Sequence, residues 1–363
     1  MKKEVISEKQ GITMMILFII GSTLILGGGK KASQDIWISI LLSMIMTLPI
    51  LIIYSRLLSL FPSKNLFEII EEVFGKIIGK IITLIFTLYF FHLGAIVIWN
   101  VTEFVEVVSF PETPQFFIAF SIGLLVIYMV KNGFEVLGRL SEPLLYIIIF
   151  TAFCTVLLSI RKMDISHIKP VLYEGWKPVF QNGLFLFTFP FAETIVFTVI
   201  LGSLNQNSKP YKVYVLGLII GGVFILLLSI RNILILGVPN IISHYFPSYS
   251  AVSLIEIGDF LERIETIAVI IFILSSFVKI SICLFAASMG FARLFNFSDY
   301  TKIAAPIGFI MLTLSLILYN SIMEMYEWLD IYPYYAIPFQ IILPLIIWIV
   351  AEVKTKSSIP SKG

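Results

Sequence analysis

The chain has 363 residues, of which 58% are apolar and 13% charged, with a net charge of +2 and a mean hydropathy of +0.99. Soluble domains run near 45–50% apolar and about 25% charged, so the composition excludes an ordinary soluble enzyme, a disordered chain and a nucleic-acid binder. The apolar runs are continuous rather than alternating, which argues against a β-barrel. At about 20 residues per membrane-spanning helix, the apolar content supplies about ten spans, and the whole chain, 1–363, reads as a single integral membrane domain.

Apolar windows separated by polar or Pro/Gly punctuation place spans at about 11–30, 35–60, 77–108, 114–130, 138–160, 178–203, 211–238, 262–292, 303–320 and 332–352. Two short amphipathic stretches, Asn65–Phe74 and Ser248–Phe260, read as surface helices. The first apolar run lacks a small-residue cleavage pattern and reads as a retained first helix. Sixteen of the 25 Lys and Arg residues fall at the termini or in the even-numbered connections, and six on the opposite side. Both termini are therefore expected to be cytoplasmic. Glu106, Glu112, Glu324, Glu327 and Asp330 are assigned to connections on the outer face. Cys154 and Cys283 lie in apolar runs and read as small buried hydrophobes rather than a disulfide or metal pair.

Two spans carry helix-breaking sequence. In the first, Gly21, Ser22 and Thr23 sit mid-span and Gly27, Gly28 and Gly29 follow. In the sixth, Phe189-Pro190-Phe191-Ala192-Glu193 places a proline and then an acid within hydrocarbon. Pro190 removes a helical donor and pushes Phe189 out of the α region. Unwound backbone at membrane depth is tolerated where it lines protein or a watery cavity. Spans 1 and 6 open the first and second sets of five, at about 11–160 and 178–352. Breaks at corresponding positions of two halves point to an all-α polytopic transporter fold built as a 5+5 inverted repeat, with a ligand held at the midplane. The plain alternative is that these residues mark only kinks.

Ionisable groups inside a membrane are expensive and are functional candidates by default. Glu193 follows the span 6 break, Lys279 lies mid-span in the eighth, and His92 near the centre of the third. Glu193 and Lys279 are expected to neutralise one another beside the ligand, with a purely structural ion pair as the alternative. Lys279 also suits the place of a bound sodium ion near span 1. For His92 a packing role outweighs chemistry. Glu262, Arg263 and Glu265 open span 8, either as a gate or as interfacial anchors. No GxSxG, HExxH, CxxC, Walker A or strand–helix GxGxxG motif occurs. His92, His167 and His244 have no metal-ligand spacing, so neither catalytic residue, metal nor cofactor is assigned.

Several motifs then fall in order along the chain. They are Phe18-Ile19-Ile20-Gly21-Ser22 with Gly27, Gln34-Asp35-Ile36-Trp37, Asn65-Leu66-Phe67-Glu68-Ile69 with Gly75-Lys76-Ile77-Ile78-Gly79-Lys80, Lys169-Pro170-Val171-Leu172-Tyr173-Glu174-Gly175, Phe189 to Glu193, and Phe277-Val278-Lys279-Ile280-Ser281. Together they resemble the spore germination permease family, the B subunits of germinant receptors in endospore-forming bacteria. That family is similar to amino acid–polyamine–organocation transporters of the LeuT type. Ala192 stands where the family usually has glycine, and Leu24-Ile25-Leu26 separate Gly21-Ser22 from Gly27.

The resemblance implies a sensor in the spore inner membrane. It would bind a small germinant, commonly an amino acid, and work with an A-type membrane subunit and a C-type lipoprotein. The pocket is expected between spans 1, 3, 6 and 8. Gly21, Ser22 and Thr23 would offer backbone groups, Leu93, Ile96, Phe189, Phe191 and Ala192 would form walls, and Glu193 and Lys279 would set the charge. A secondary active amino acid transporter, coupled to protons or sodium, is the other reading.

Overall fold

A computed structural model describes residues 4–26, 31–205, 208–255 and 265–357, with the side chains of residues 22, 24–26, 356 and 357 outside the description. Thirteen α-helices occur among the described residues. These are α1 (Glu8–Leu26), α2 (Ile36–Leu60), α3 (Leu66–Ser109), α4 (Gln115–Lys131), α5 (Phe134–Ser159), α6 (Trp176–Leu186), α7 (Phe197–Ile200), α8 (Pro210–Ser243), α9 (Pro247–Ser253), α10 (Glu265–Leu294), α11 (Thr301–Ile317), α12 (Ile322–Ile337) and α13 (Leu343–Ser357). Seven helical segments are long and apolar enough to cross a membrane, and α4 and α11 are shorter apolar helices. With α1, they account for the ten expected spans. The segment holding Glu262 and Arg263, the glycines at 27–29 and the last part of the second surface stretch lie outside the described residues.

Two layers organise the bundle. One packs α1, α2, α8 and the interrupted sixth span against each other; the other packs α3, α4, α10 and α11. The most extensive helix pair is α3 with α10, and α1 joins the layers through α8 and α10. From Met14 to Ile20 every α1 side chain is buried. A helix that is apolar all round belongs at the centre, and α1 is there. Large apolar side chains on α2, α4, α5, α8 and α11, including Ile52, Phe117, Phe150, Leu227 and Ile310, remain exposed on the perimeter. On a water-soluble protein so much exposed apolar surface would be a liability; in a bilayer it is the lipid-facing surface.

Local sequence explains the ends and bends. Asn65 Oδ1 accepts the Glu68 amide and Glu68 Oε2 accepts the Asn65 amide, a reciprocal cap that starts the surface helix. Gly75, at φ +76°, turns that helix into the third span. Gln34 Nε2 donates to the Pro170 carbonyl, and the Asp35 carboxylate accepts the Leu172 amide at 3.0 Å. Two motifs 136 residues apart thus clamp one another, and Asp35 holds Leu172 at its positive φ of 56°. At the other end of the bundle, Ile6 N donates to Ser203 O and Asn205 N to Ile6 O, tying the N-terminal segment to the end of span 6.

Four expectations are corrected. α1 is helical without interruption from Glu8 to Leu26, so the described part of span 1 does not open at Gly21, Ser22 or Thr23; Thr23 Oγ1 donates back to the Ile19 carbonyl at 3.0 Å. The tenth span starts at Ile322 rather than 332, because Ser321 caps the Glu324 amide; Glu324, Glu327 and Asp330 lie on α12, not in a connection. That span is also widened by a π-helical turn at Pro338–Ile342. Cys283 is buried, but Cys154 is half-exposed on α5.

A Cβ added at Gly202 would lie 2.6–2.8 Å from backbone atoms of Lys64 and Asn65, which cannot move aside as a flexible side chain can. Gly202→Ala is therefore expected to destabilise the protein by about 1–3 kcal/mol, read as a lower melting temperature of the detergent-solubilised chain.

Candidate functional site

The sixth span is the most buried of the long segments, with 89% of its apolar window inside the protein. α6 gives way at Phe187–Phe191 to a wide π-helical turn, where Phe189 takes the extended values φ −137° and ψ 109° ahead of Pro190. A tight helical turn, Ala192–Val196, follows and leads into α7. The steric demand of Pro190 on the residue before it accounts for the break. The consequence is that Glu193, next to the break, points inward with no solvent exposure.

Lys279 of α10 meets it. Nζ lies 2.6 Å from Glu193 Oε2, and both side chains are fully buried. The ammonium also sits over the rings of Phe18 (4.7 Å) and Phe189 (5.0 Å), where the ring quadrupoles favour a cation. The second carboxylate oxygen, Oε1, accepts the Tyr332 hydroxyl at 2.6 Å. Tyr332 OH lies 3.4 Å from Tyr89 OH, and Gln340 Nε2 donates to Tyr89 OH and to the Thr188 carbonyl, each at 2.8 Å. Tyr54 OH donates to the Gln340 carbonyl, with the Ala192 carbonyl 3.4 Å away as a secondary acceptor. The Thr188 carbonyl beside the break is thus satisfied by a side chain, as buried backbone requires.

α1 approaches closely at Gly21. Its carbonyl accepts the Ser276 hydroxyl at 2.6 Å, and an added Cβ would meet Ser275 O at 3.1 Å and Lys279 Cβ at 3.2 Å. Gly21 and Thr23 from span 1, Phe189, Phe191, Ala192 and Glu193 from span 6, and Lys279 from span 8 are all buried. Phe18, Gly21, Phe189, Glu193 and Lys279 are joined by the contacts just given, and the Ser22 side chain lies outside the description. Leu93 and Ile96 of α3 are buried too. Ile96 packs with Trp99, Phe189 and Tyr332 in an aromatic cluster against α12, whereas Leu93 belongs to the main core. His92 Nδ1 is 2.9 Å from Tyr335 OH, with edge contacts to Trp328 and Tyr335.

Tyr54, Tyr89, Tyr332 and Gln340 were not identified from sequence. Tyrosines are common in apolar spans and carry no periodic signal. Gln340 did offer one, as a primary amide inside an apolar run just after Pro338. Asn100, one turn along α3 from Ile96, is buried with neither amide atom hydrogen-bonded among the described residues, another polar group the sequence did not single out.

The profile of the family described as spore germination protein matches residues 5–323. The chain belongs to that family. It is 29% identical over 370 residues to spore germination protein KB of Bacillus subtilis (strain 168), covering 100% of this chain and 99% of that protein. Spore germination protein XB of Bacillus anthracis is 23% identical over 260 residues, covering 70% of this chain and 71% of that protein. Two solved structures share the fold. MhsT in complex with L-phenylalanine superposes with a TM-score of 0.71 over 96% of this chain and 89% of that one, at 13% identity. Mhp1, a nucleobase-cation-symport-1 family transporter in a closed conformation with bromovinylhydantoin bound, gives 0.70 over 95% and 78%, at 10% identity. The architecture of this family member is therefore LeuT-like and its setting is the membrane.

Removing one partner of a buried pair leaves an uncompensated charge and costs about 3–5 kcal/mol. Glu193→Gln and Lys279→Met are each expected to lower stability on that scale, and the double variant to recover much of the loss. A double-mutant cycle of melting or denaturant stability checks this; additive losses would show that the two groups act independently.

Proposed function

We propose that the chain is the germinant-sensing subunit of a spore germination receptor in the spore inner membrane, with both termini cytoplasmic and no catalytic step. The observation that carries the proposal is the fully buried Lys279–Glu193 pair between the broken sixth span and α10, beside Gly21 of α1. A small zwitterion, most simply an amino acid, has the complementary charges: its carboxylate suits Lys279 and its ammonium suits Glu193. The Phe18 and Phe189 faces supply a second stabilising environment for an ammonium group. Gly21, Ser22, Thr23, Leu93, Ile96, Phe191 and Ala192 complete the pocket, between repeats at about 11–160 and 178–352. Relatives named as germination proteins support the receptor context.

In the described conformation the charges satisfy each other, so ligand entry exchanges the internal pair for two pairs with ligand. That exchange couples occupancy to the positions of spans 6 and 8, which an A-type membrane subunit and a C-type lipoprotein would read. Moving a two-state balance from 1:99 to 99:1 takes about 5.5 kcal/mol of differential affinity. A conformation that left one of these charges unpaired would be disfavoured by a comparable amount, so pairing both charges with ligand in only one conformation would bias the balance on that scale.

The fold shared with Mhp1 favours a second reading, a secondary active amino acid transporter coupled to protons or sodium. Uptake by the lone chain in liposomes would support transport; absence of uptake, with a response that needs partner subunits, would support sensing.

Screening amino acids, sugars and nucleosides by isothermal titration and photolabelling tests the pocket. Labelling is expected on spans 1 and 6, and no ligand contacting those spans would overturn the proposal. Spores carrying the charge-neutral Glu193→Gln/Lys279→Met variant, with the protein present in the membrane, are expected to lose the germinant response. An unchanged dose–response would remove the pair from the pocket.

A further inference from the structure

Lys279 has a carboxylate partner; among the described residues Arg231 of α8 has none. Its guanidinium is 3% exposed and forms no ion pair with any described residue. Its partners among the described residues are all neutral. Nη1 donates to Thr155 Oγ1 at 3.0 Å, Nη2 to Asn232 Oδ1 at 2.7 Å and to the Ser248 carbonyl at 3.4 Å, and Nε to Asn232 Oδ1 at 3.2 Å. Asn232 Nδ2 in turn donates to Ser248 Oγ at 2.9 Å. Of the five N–H groups on a guanidinium, one on Nη1 is left uncommitted.

Beside it lies a cavity of about 30 Å³. Its walls include Phe104 of α3, Thr155 of α5, Leu228 of α8, Ser248 and Tyr249 of α9, and Ile271 of α10. Among the described residues those walls hold no acid. The volume suits one or two water-sized occupants, too little for an amino acid. Hydrogen bonds to neutral acceptors satisfy donors but leave the charge itself uncompensated in a low-dielectric interior, and buried charges are paired as a rule.

We propose that this cavity is a binding site for a small monovalent anion, with chloride as the physiological occupant, held by the Arg231 guanidinium and the Ser248 hydroxyl. Size selects against larger organic anions, and Phe104, Leu228 and Ile271 give the site apolar walls. Because Ser248 lies on α9, and α9 packs on α1, α8 and α10, the anion fastens that short helix to the end of the bundle opposite the N-terminus. The site is separate from the Lys279–Glu193 pair and does not depend on the germinant proposal.

The test uses the full chain in lipid nanodiscs at constant ionic strength, with sodium gluconate replaced stepwise by sodium chloride. A ligand that binds the folded state raises its melting temperature with concentration. Wild type is expected to show a saturable rise with chloride, Arg231→Gln to show none, and Arg161→Gln, on the exposed turn after α5, to respond as wild type. Identical melting of wild type in the two salts overturns the proposal, as does a retained chloride response in Arg231→Gln. If Arg231→Gln does not fold, Ser248→Ala decides. Loss of one hydrogen bond to the anion is expected to raise the half-saturating chloride concentration about tenfold, and an unchanged value overturns the assignment.

Discussion

Lys279 and Glu193 lie where water does not reach, and a charge in that environment needs its counter-charge supplied by another helix. Much of the site's geometry follows from meeting that need. Glu193 is brought inward by the break at Phe189-Pro190, which turns the chain just before it. α10 must come close enough for the ammonium to reach across, and α1 must come close to α10. Gly21 permits the second approach, since a larger residue would press on Ser275 and on the stem of Lys279. The Ser276 hydroxyl then uses the short separation to bond the Gly21 carbonyl.

The break that presents Glu193 also frees backbone groups, and these are answered by side chains from distant helices. The Gln340 side chain of the tenth span serves Thr188, and Tyr54 of α2 serves the Gln340 carbonyl with Ala192 O nearby. Tyr332 completes the carboxylate, and Tyr89 links it to Gln340. Spans 2, 3, 6, 8 and 10 therefore share one polar network in an otherwise apolar interior. A change at any one partner of such a network therefore bears on helices that do not touch that partner directly.

At the rim the charges do different work. Pairs such as Lys9–Glu142, Arg56–Glu352 and Lys212–Glu8 join helix ends at 2.5–2.7 Å, but they are partly solvated and individually worth little. The clamp of Gln34 and Asp35 on the segment after α5 differs in kind, because both Asp35 oxygens lie 3.0 Å from a backbone amide outside any helix. It joins the start of the second span to the approach to the sixth, and so holds the two halves of the chain in register near the broken span.

The sequence alone determined the membrane setting, ten spans to within a few residues for most, the break in span 6 and the pairing of Glu193 with Lys279. Each rests on a one-dimensional signal: apolar run length, a proline before an acid, two opposite charges too costly to leave apart in hydrocarbon. The clamp between the two loop motifs, the tyrosine and glutamine partners of Glu193, and the uninterrupted helix through Gly21 and Thr23 were decided by tertiary structure. Gly and Ser are permissive in a helix packed on all sides, so local propensity could not say whether span 1 would open there; packing of α1 between α8 and α10 keeps it wound. The start of the tenth span is hidden in the sequence for a related reason. Glu324, Glu327 and Asp330 look like a polar connection, but the Ser321 cap and the apolar residues between the acids, Met325 and Leu329 buried among them, make them one face of a helix whose other face packs inward.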